Sequence, residues 1–177
     1  MPPPGISVLF DADQIAARLR DLAAEIAAAM GPDILLVPIL KGSFVFSADL
    51  IRALYHAGMR PEVDFLTLSS YGAGRQSSGA VRVARDVDDL VVGRSVLLVD
   101  DILESGRTLS FARNLMQQRG AAVVKIAVFL DKPVPRAVPC EADFRAFICP
   151  QRFVIGYGLD HAHRYRELPF VGALDGM

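Results

Sequence analysis

The stretch richest in chemistry is Val96-Leu97-Leu98-Val99-Asp100-Asp101-Ile102-Leu103-Glu104-Ser105-Gly106-Arg107-Thr108-Leu109. An apolar run delivers two adjacent carboxylates, and a short loop bearing a hydroxyl and a glycine then leads into a helix. Gly106 tolerates backbone conformations closed to other residues. Successive N–H groups can therefore converge on an anion at the positive end of that helix, with Ser105 and Thr108 adding hydroxyl donors. Such a loop cradles phosphate. Asp100 and Asp101, at the mouth of a sheet, can accept hydrogen bonds from a pair of sugar hydroxyls or help hold a divalent cation. Phosphate beside a diol suggests a ribose phosphate. Helix capping alone would also account for Ser-Gly-Arg-Thr. A P-loop is excluded because no Gly stands five residues before Gly106 and no Lys follows it, and no Gly-x-Gly-x-x-Gly follows any of the strands.

The elements that must position these residues can be read from periodicity. Asp11 with Gln14 three residues on resembles a helix N-cap, and Ile15, Leu19, Leu22 and Ile26 recur at helical spacing until Gly31-Pro32. Ile34 to Leu40 is a continuous apolar run, as in a strand buried on both faces, and Ser43 is placed to cap a second helix through Tyr55. Val63 to Leu68 reads as a strand, the polar, glycine-rich stretch from Tyr71 to Gly79 as a mobile loop, and Val81 to Ala84 as a returning strand. A strand from Ser95 ends at Asp100-Asp101; Leu109, Ala112, Leu115 and Met116 then form a helix face stopped by Gly120, and Val123 to Leu130 gives a further strand. Buried strands alternating with helices predict an α/β fold with a mostly parallel central sheet, whose ligands bind beyond the carboxyl ends of the strands. After Pro133 the short pieces Phe144 to Ile148 and Phe153 to Tyr157 read as a small appendage on a single domain.

Composition narrows the function. The chain has 177 residues and 19 basic against 20 acidic side chains, a formal charge of -1. Nucleic-acid binding lacks the positive charge it needs unless a local patch supplies it. No apolar stretch approaches the roughly 18 residues of a membrane span, and Met1-Pro2-Pro3-Pro4-Gly5 has neither a basic start nor an apolar signal core, which predicts a cytoplasmic protein. Cys140 and Cys149 match no redox or zinc spacing and read as buried, reduced thiols. Of the 19 basic residues only Lys41, Lys125 and Lys132 are lysines. A lysine retained in so arginine-rich a chain suggests a site that needs a compact point charge.

With these residues in place, the sequence resembles the type I phosphoribosyltransferases, and within them the hypoxanthine-guanine branch, over roughly Val37 to Gly172. Val-Asp-Asp-Ile-Leu-Glu-Ser-Gly-Arg-Thr-Leu is similar to the family's phosphoribosyl pyrophosphate signature. Further matches are Leu40-Lys41-Gly42, Ser70-Tyr71, Leu130-Asp131-Lys132-Pro133, Phe153-Val154-Ile155-Gly156-Tyr157-Gly158-Leu159-Asp160 and Arg164-Tyr165-Arg166-Glu167-Leu168-Pro169. The resemblance implies the type I phosphoribosyltransferase fold, a mobile lid at about 69–81 and a C-terminal hood at about 133–177. It implies transfer of 5-phosphoribosyl from phosphoribosyl pyrophosphate to N9 of a 6-oxopurine, with Mg²⁺.

By the same resemblance Ser105, Gly106, Arg107 and Thr108 bind the 5-phosphate, and Asp100 and Asp101 take the ribose hydroxyls and a Mg²⁺ site. Lys41 and Gly42, where the family has a cis non-proline peptide, bind pyrophosphate with Arg166. Lys132 donates to purine O6, Phe153 stacks on the ring, Val154 offers backbone groups to its edge, and Asp160 lies near a second Mg²⁺ and the purine 2-position. Ser70 and Tyr71 belong to the lid, and relatives are homodimers or homotetramers.

Three positions depart from the family. Glu104 stands where most members have the Asp taken as proton acceptor at N7, Asp100 where they usually have Glu, and His161 where they commonly have Tyr. The alternatives at this stage are a xanthine-preferring phosphoribosyltransferase and a non-catalytic nucleotide-sensing regulator on the same fold.

Overall fold

A computed structural model describes residues 5–70, 81–88 and 91–174, with the Ser70 side chain left out. The first element after β1 (Ile6–Phe10) is α1 (Ala12–Met30), and its start is the capping box the sequence predicts. The Asp11 carboxylate accepts from the Gln14 N–H at 2.8 Å, while Gln14 accepts from the Asp11 N–H at 2.9 Å. There follow β2 (Leu35–Leu40), α2 (Phe44–His56), β3 (Glu62–Val63), β4 (Leu66–Ser70), β5 (Val81–Arg85), β6 (Ser95–Leu103), α3 (Arg107–Gln118), β7 (Val123–Asp131), β8 (Phe144–Ile148), β9 (Val154–Ile155) and β10 (Val171–Leu174). The main sheet runs β5-β4-β2-β6-β7-β8 with β3 beside β2; every pairing is parallel except β4 with β5.

The uninterrupted apolar strands are explained by two cores, one on each face. Successive side chains of a strand alternate between faces. Leu36, Leu97, Val99, Ala127 and Phe129 pack against α1 and α2 through Leu19, Leu22, Phe46 and Leu50. Their neighbours Leu35, Val37, Val96, Leu98, Ile126 and Val128 pack against α3 through Leu109, Ala112 and Met116. Each such Leu or Ile contributes about 1.5–3 kcal/mol by burial, so the frame holding the strand ends is stiff. Among the described residues no helix is long and apolar enough to cross a membrane.

Four expectations change. β6 does not end at Asp100-Asp101 but continues to Leu103, because β7 is equally long and pairs with it as far as Leu103↔Asp131. Phe144 to Ile148 is no appendage: it is β8, paired parallel to β7 at the edge of the main sheet, where Arg18 of α1 donates to its Arg145 and Ala146 carbonyls at 2.7 and 2.9 Å. The hood is instead a three-stranded antiparallel sheet, β1-β10-β9, so it borrows a strand from the chain's beginning. Lastly, Val63 to Leu68 is two short strands, interrupted where the Asp64 carboxylate accepts from the N–H groups of Phe65 and Asp88, both at 2.7 Å.

Candidate active site

The carboxyl ends of β2 and β6 open on a cavity of about 340 Å³ lined by Lys41, Gly42, Asp100, Asp101, Glu104, Ser105, Gly106 and Thr108 among others. β2 last pairs with β6 at Pro38↔Val99. Residues 100–103 therefore keep β7 on one side and face the cavity on the other.

The loop after β6 is built as a cradle. Gly106 caps α3 with φ +76°, and a Cβ there would strike the Val138 carbonyl oxygen, so only glycine fits. Gly106, the N-cap of α3, has no side chain to cap it, and the Arg107 N–H makes a long bond to Ser105 Oγ at 3.4 Å, which leaves the first turn able to turn its N–H groups to an anion. Ser105 and Thr108 stand beside them; Arg107 is exposed and does not line the cavity.

Asp100 is buried, and the Asp101 N–H donates to its Oδ1 at 3.0 Å. Burial, then the charge of Asp101, pushes the Asp100 carboxyl well above the ordinary carboxylate range; burial raises Asp101 too. Two adjacent carboxyls, one of them buried, suit a divalent cation, which would offset their repulsion, or a donating diol. Asp101 also explains Gly42, for a Cβ at Gly42 would collide with its carboxylate. The Leu40–Lys41 peptide is cis. Ser43 does not cap α2. Its hydroxyl, fully buried, donates back to the Ile39 carbonyl at 2.6 Å and spans the Lys41-Gly42 turn.

The residues assigned to the base are arranged differently. Lys132, almost buried, donates to Glu104 at 3.2 Å, which ties it to the cavity's rim. Phe153 is 40 % exposed and meets the His161 ring edge-on, with centroids 5.3 Å apart. Val154 lies in β9 opposite Ala173. Asp160 is engaged by Arg166 at 2.7 Å and by the His163 N–H at 2.8 Å. Arg166 also donates to the Gly158 carbonyl at 2.5 Å, and its charge acts on Asp101 at the first cavity, lowering that carboxyl against the rise that burial causes. Among the described residues no three acidic, histidine or cysteine side chains converge as a metal site. Tyr71 and most of the expected lid lie outside the described residues, as does the Ser70 side chain.

Residues 6–162 match the phosphoribosyl transferase domain family. The hypoxanthine-guanine phosphoribosyltransferase of Streptococcus agalactiae is 40% identical over 94% of this chain and 92% of its own length. The chain belongs to the phosphoribosyltransferase family, in its hypoxanthine-guanine branch. The bifunctional protein TilS/HprT of Listeria innocua is 44% identical over 94% of this chain, which spans only 26% of that longer protein. A structure of the hypoxanthine phosphoribosyltransferase of Trypanosoma cruzi with the product IMP superposes with a TM-score of 0.92, covering 99% of this chain and 95% of that one at 35% identity.

Sequence reasoning missed several contacts of this phosphoribosyltransferase site. Ser43 was legible only as a cap, since its hydroxyl can reach either way along the chain. Asp131, buried between Arg136 and Arg145, carries no spacing signal at all. The turn Gly156-Tyr157-Gly158 docks the hood on the Lys41-Gly42 turn: a Cβ at Gly158 would strike the Gly42 carbonyl, and the Tyr157 phenol donates to Asp49 of α2 at 2.7 Å.

Proposed function

We propose that this chain is a hypoxanthine and guanine phosphoribosyltransferase, moving 5-phosphoribosyl from phosphoribosyl pyrophosphate to N9 of a 6-oxopurine. The observation that carries the reading is the convergence, in one cavity, of a helix started by glycine, the adjacent carboxyls of Asp100 and Asp101, and the Lys41-Gly42 turn. The first turn of α3 binds the 5-phosphate, Asp100 and Asp101 orient the ribose hydroxyls, and Lys41 with Gly42 takes the pyrophosphate, assisted by Arg166 once it leaves Asp160. Mg²⁺ fits the acidic pair, with substrate oxygens completing its shell, and would supply charge neutralisation of the departing pyrophosphate.

In the reaction the bond from ribose C1 to pyrophosphate breaks and the bond from C1 to N9 forms. The purine ring proton passes to Glu104, and Lys132 donates to O6. Phe153 stacks on the ring, the Val154 backbone reads its edge, and Asp160 faces the 2-position. Adenine has an amino group at position 6 and would leave the Lys132 ammonium without an acceptor. The lid, with Ser70 and Tyr71, excludes water from the ribosyl cation.

The test is an assay with phosphoribosyl pyrophosphate and Mg²⁺ against hypoxanthine, guanine, xanthine and adenine. Turnover of the first two is expected; efficient adenine turnover, or none with any base, would overturn the reading, and a preference for xanthine would move it to that branch. We further propose a cytoplasmic homodimer or homotetramer. Both cysteines are free and buried. A groove of about 1010 Å³ between α1 and α2, with Phe44 exposed beside the Lys41-Gly42 turn, supports contact between subunits. A monomer by light scattering would refute it.

A further inference from the structure

Resting on the phosphoribosyl-transfer reading, we propose that Asp131 and Arg136 are a positioning pair. They hold the segment 132–140 in the one path that both presents Lys132 to the base and backs the phosphate cradle.

Asp131 ends β7 and is only 6% exposed. Its Oδ1 accepts from Arg136 at 2.5 Å and its Oδ2 from Arg145 at 2.9 Å. The other arm of the Arg136 guanidinium donates to the Cys140 carbonyl, closing the turn from 136 to 140. That turn reaches the cradle. The Val138 N–H donates to the Ser105 carbonyl at 3.1 Å, the Val138 carbonyl oxygen occupies the space a Cβ on Gly106 would need, and the Cys140 Cβ lies 3.1 Å from the same point. At the segment's other end the Lys132 N–H donates to the Leu103 carbonyl at 3.0 Å. One stretch of chain therefore touches β6 just before Glu104 and the loop just after it.

Backbone hydrogen bonds hold this stretch at Lys132, Val134 and Val138, and three of its residues can make none through nitrogen. Pro133, Pro135 and Pro139 carry no N–H. The link from the stiff end of β7 to the turn is the guanidinium, whose rigid fork binds Asp131 and the Cys140 oxygen together. Without it the Asp131 carboxylate keeps Arg145 but no longer holds the turn, and Val138 loses its fixed place behind Ser105 and Gly106. Misplacement of about 1 Å in a group that orients substrate lowers rate by about 10²-fold.

The experiment compares Arg136→Met, Arg136→Lys and Arg145→Ala with the parent. It measures KM for phosphoribosyl pyrophosphate and for hypoxanthine per folded enzyme, calorimetric binding of ribose 5-phosphate, and melting temperature. Arg145, on β8 and 54% exposed, shares Asp131 but touches nothing in the segment. Arg136→Met is expected to raise both KM values and weaken ribose 5-phosphate by about 10-fold or more. Arg136→Lys should fall between it and the parent, since an ammonium cannot span both oxygens, and Arg145→Ala should stay within about twofold.

A lower melting temperature with KM and ribose 5-phosphate binding unchanged would overturn the proposal, as would an equal effect of Arg145→Ala. If Arg136→Met does not fold, Arg136→Lys decides, and parent-like values for it overturn the proposal. Absence of transfer in the parent would sink the functional reading instead, while ribose 5-phosphate binding would still report on the pair.

Discussion

The half of the site proposed to take the sugar phosphate and the half proposed to take the base are built on different principles. The first is assembled from backbone at the ends of β2 and β6, with Gly42 and Gly106 allowing approaches that any Cβ would block. Its Asp100 carboxyl is buried beside Asp101, and burial raises both, which suits a donor or a cation. The second half consists of side chains satisfied by one another: Lys132 by Glu104, Asp160 by Arg166. On the proposed reading, ligand binding would fill an existing shape on one side and exchange partners on the other. A phosphate site can be stiff because its ligand never varies, whereas a base site made of ion pairs can select by which partner the ligand replaces.

The largest effect should come at the junction of the halves. Glu104→Gln is expected to lower turnover by about 10²–10⁴-fold with substrates still bound, measured as kcat against KM. Glu104→Asp should lie between, since one methylene less draws the carboxylate back from Lys132. A Gln variant as fast as the parent would remove Glu104 from proton transfer.

Next, Lys132→Ala should raise KM for hypoxanthine by about 10- to 100-fold, the range of a hydrogen bond from a charged donor, with KM for phosphoribosyl pyrophosphate nearly unchanged. Equal weakening of both would mean that the two halves are one.

A smaller effect tests the buried Asp100 carboxyl. With its carboxyl raised by burial, folded Asp100 keeps its proton at pH values where the unfolded chain has released it. Its favourable contribution is thus full below the ordinary carboxylate range and lost as pH rises through the raised value. Asp100→Asn should abolish that dependence and stabilise the free protein by about 0.5–2 kcal/mol near neutral pH, an advantage shrinking on acidification while activity falls. Thermal unfolding from about pH 4 to about pH 8 measures it. A less stable Asn variant at neutral pH would show that the pair is already compensated. The smallest change expected is Tyr157→Phe, which frees the hood turn from Asp49 and should lose about 0.5–1 kcal/mol in urea unfolding, with KM for ribose phosphates unaltered.

Local order made much of this molecule legible from its residues. The Asp11 capping box, the apolar runs of β2, β6 and β7, and the Ser105–Thr108 loop each state their conformation within a few neighbours, because capping, burial on two faces and a left-handed glycine act over one turn or one strand. The mostly parallel α/β class and the resemblance to the family follow from those segments. Tertiary structure alone decided that β1 completes the hood, that β8 joins the main sheet and that β6 runs on past its acids, since strand pairing joins residues far apart in sequence and a short apolar run carries no record of its partner. It alone decided, too, that Ser43 bonds backward and that Asp131 grips Arg136. A hydroxyl or a carboxylate can satisfy itself in several directions, and the one it takes is set by what the fold brings within 3 Å.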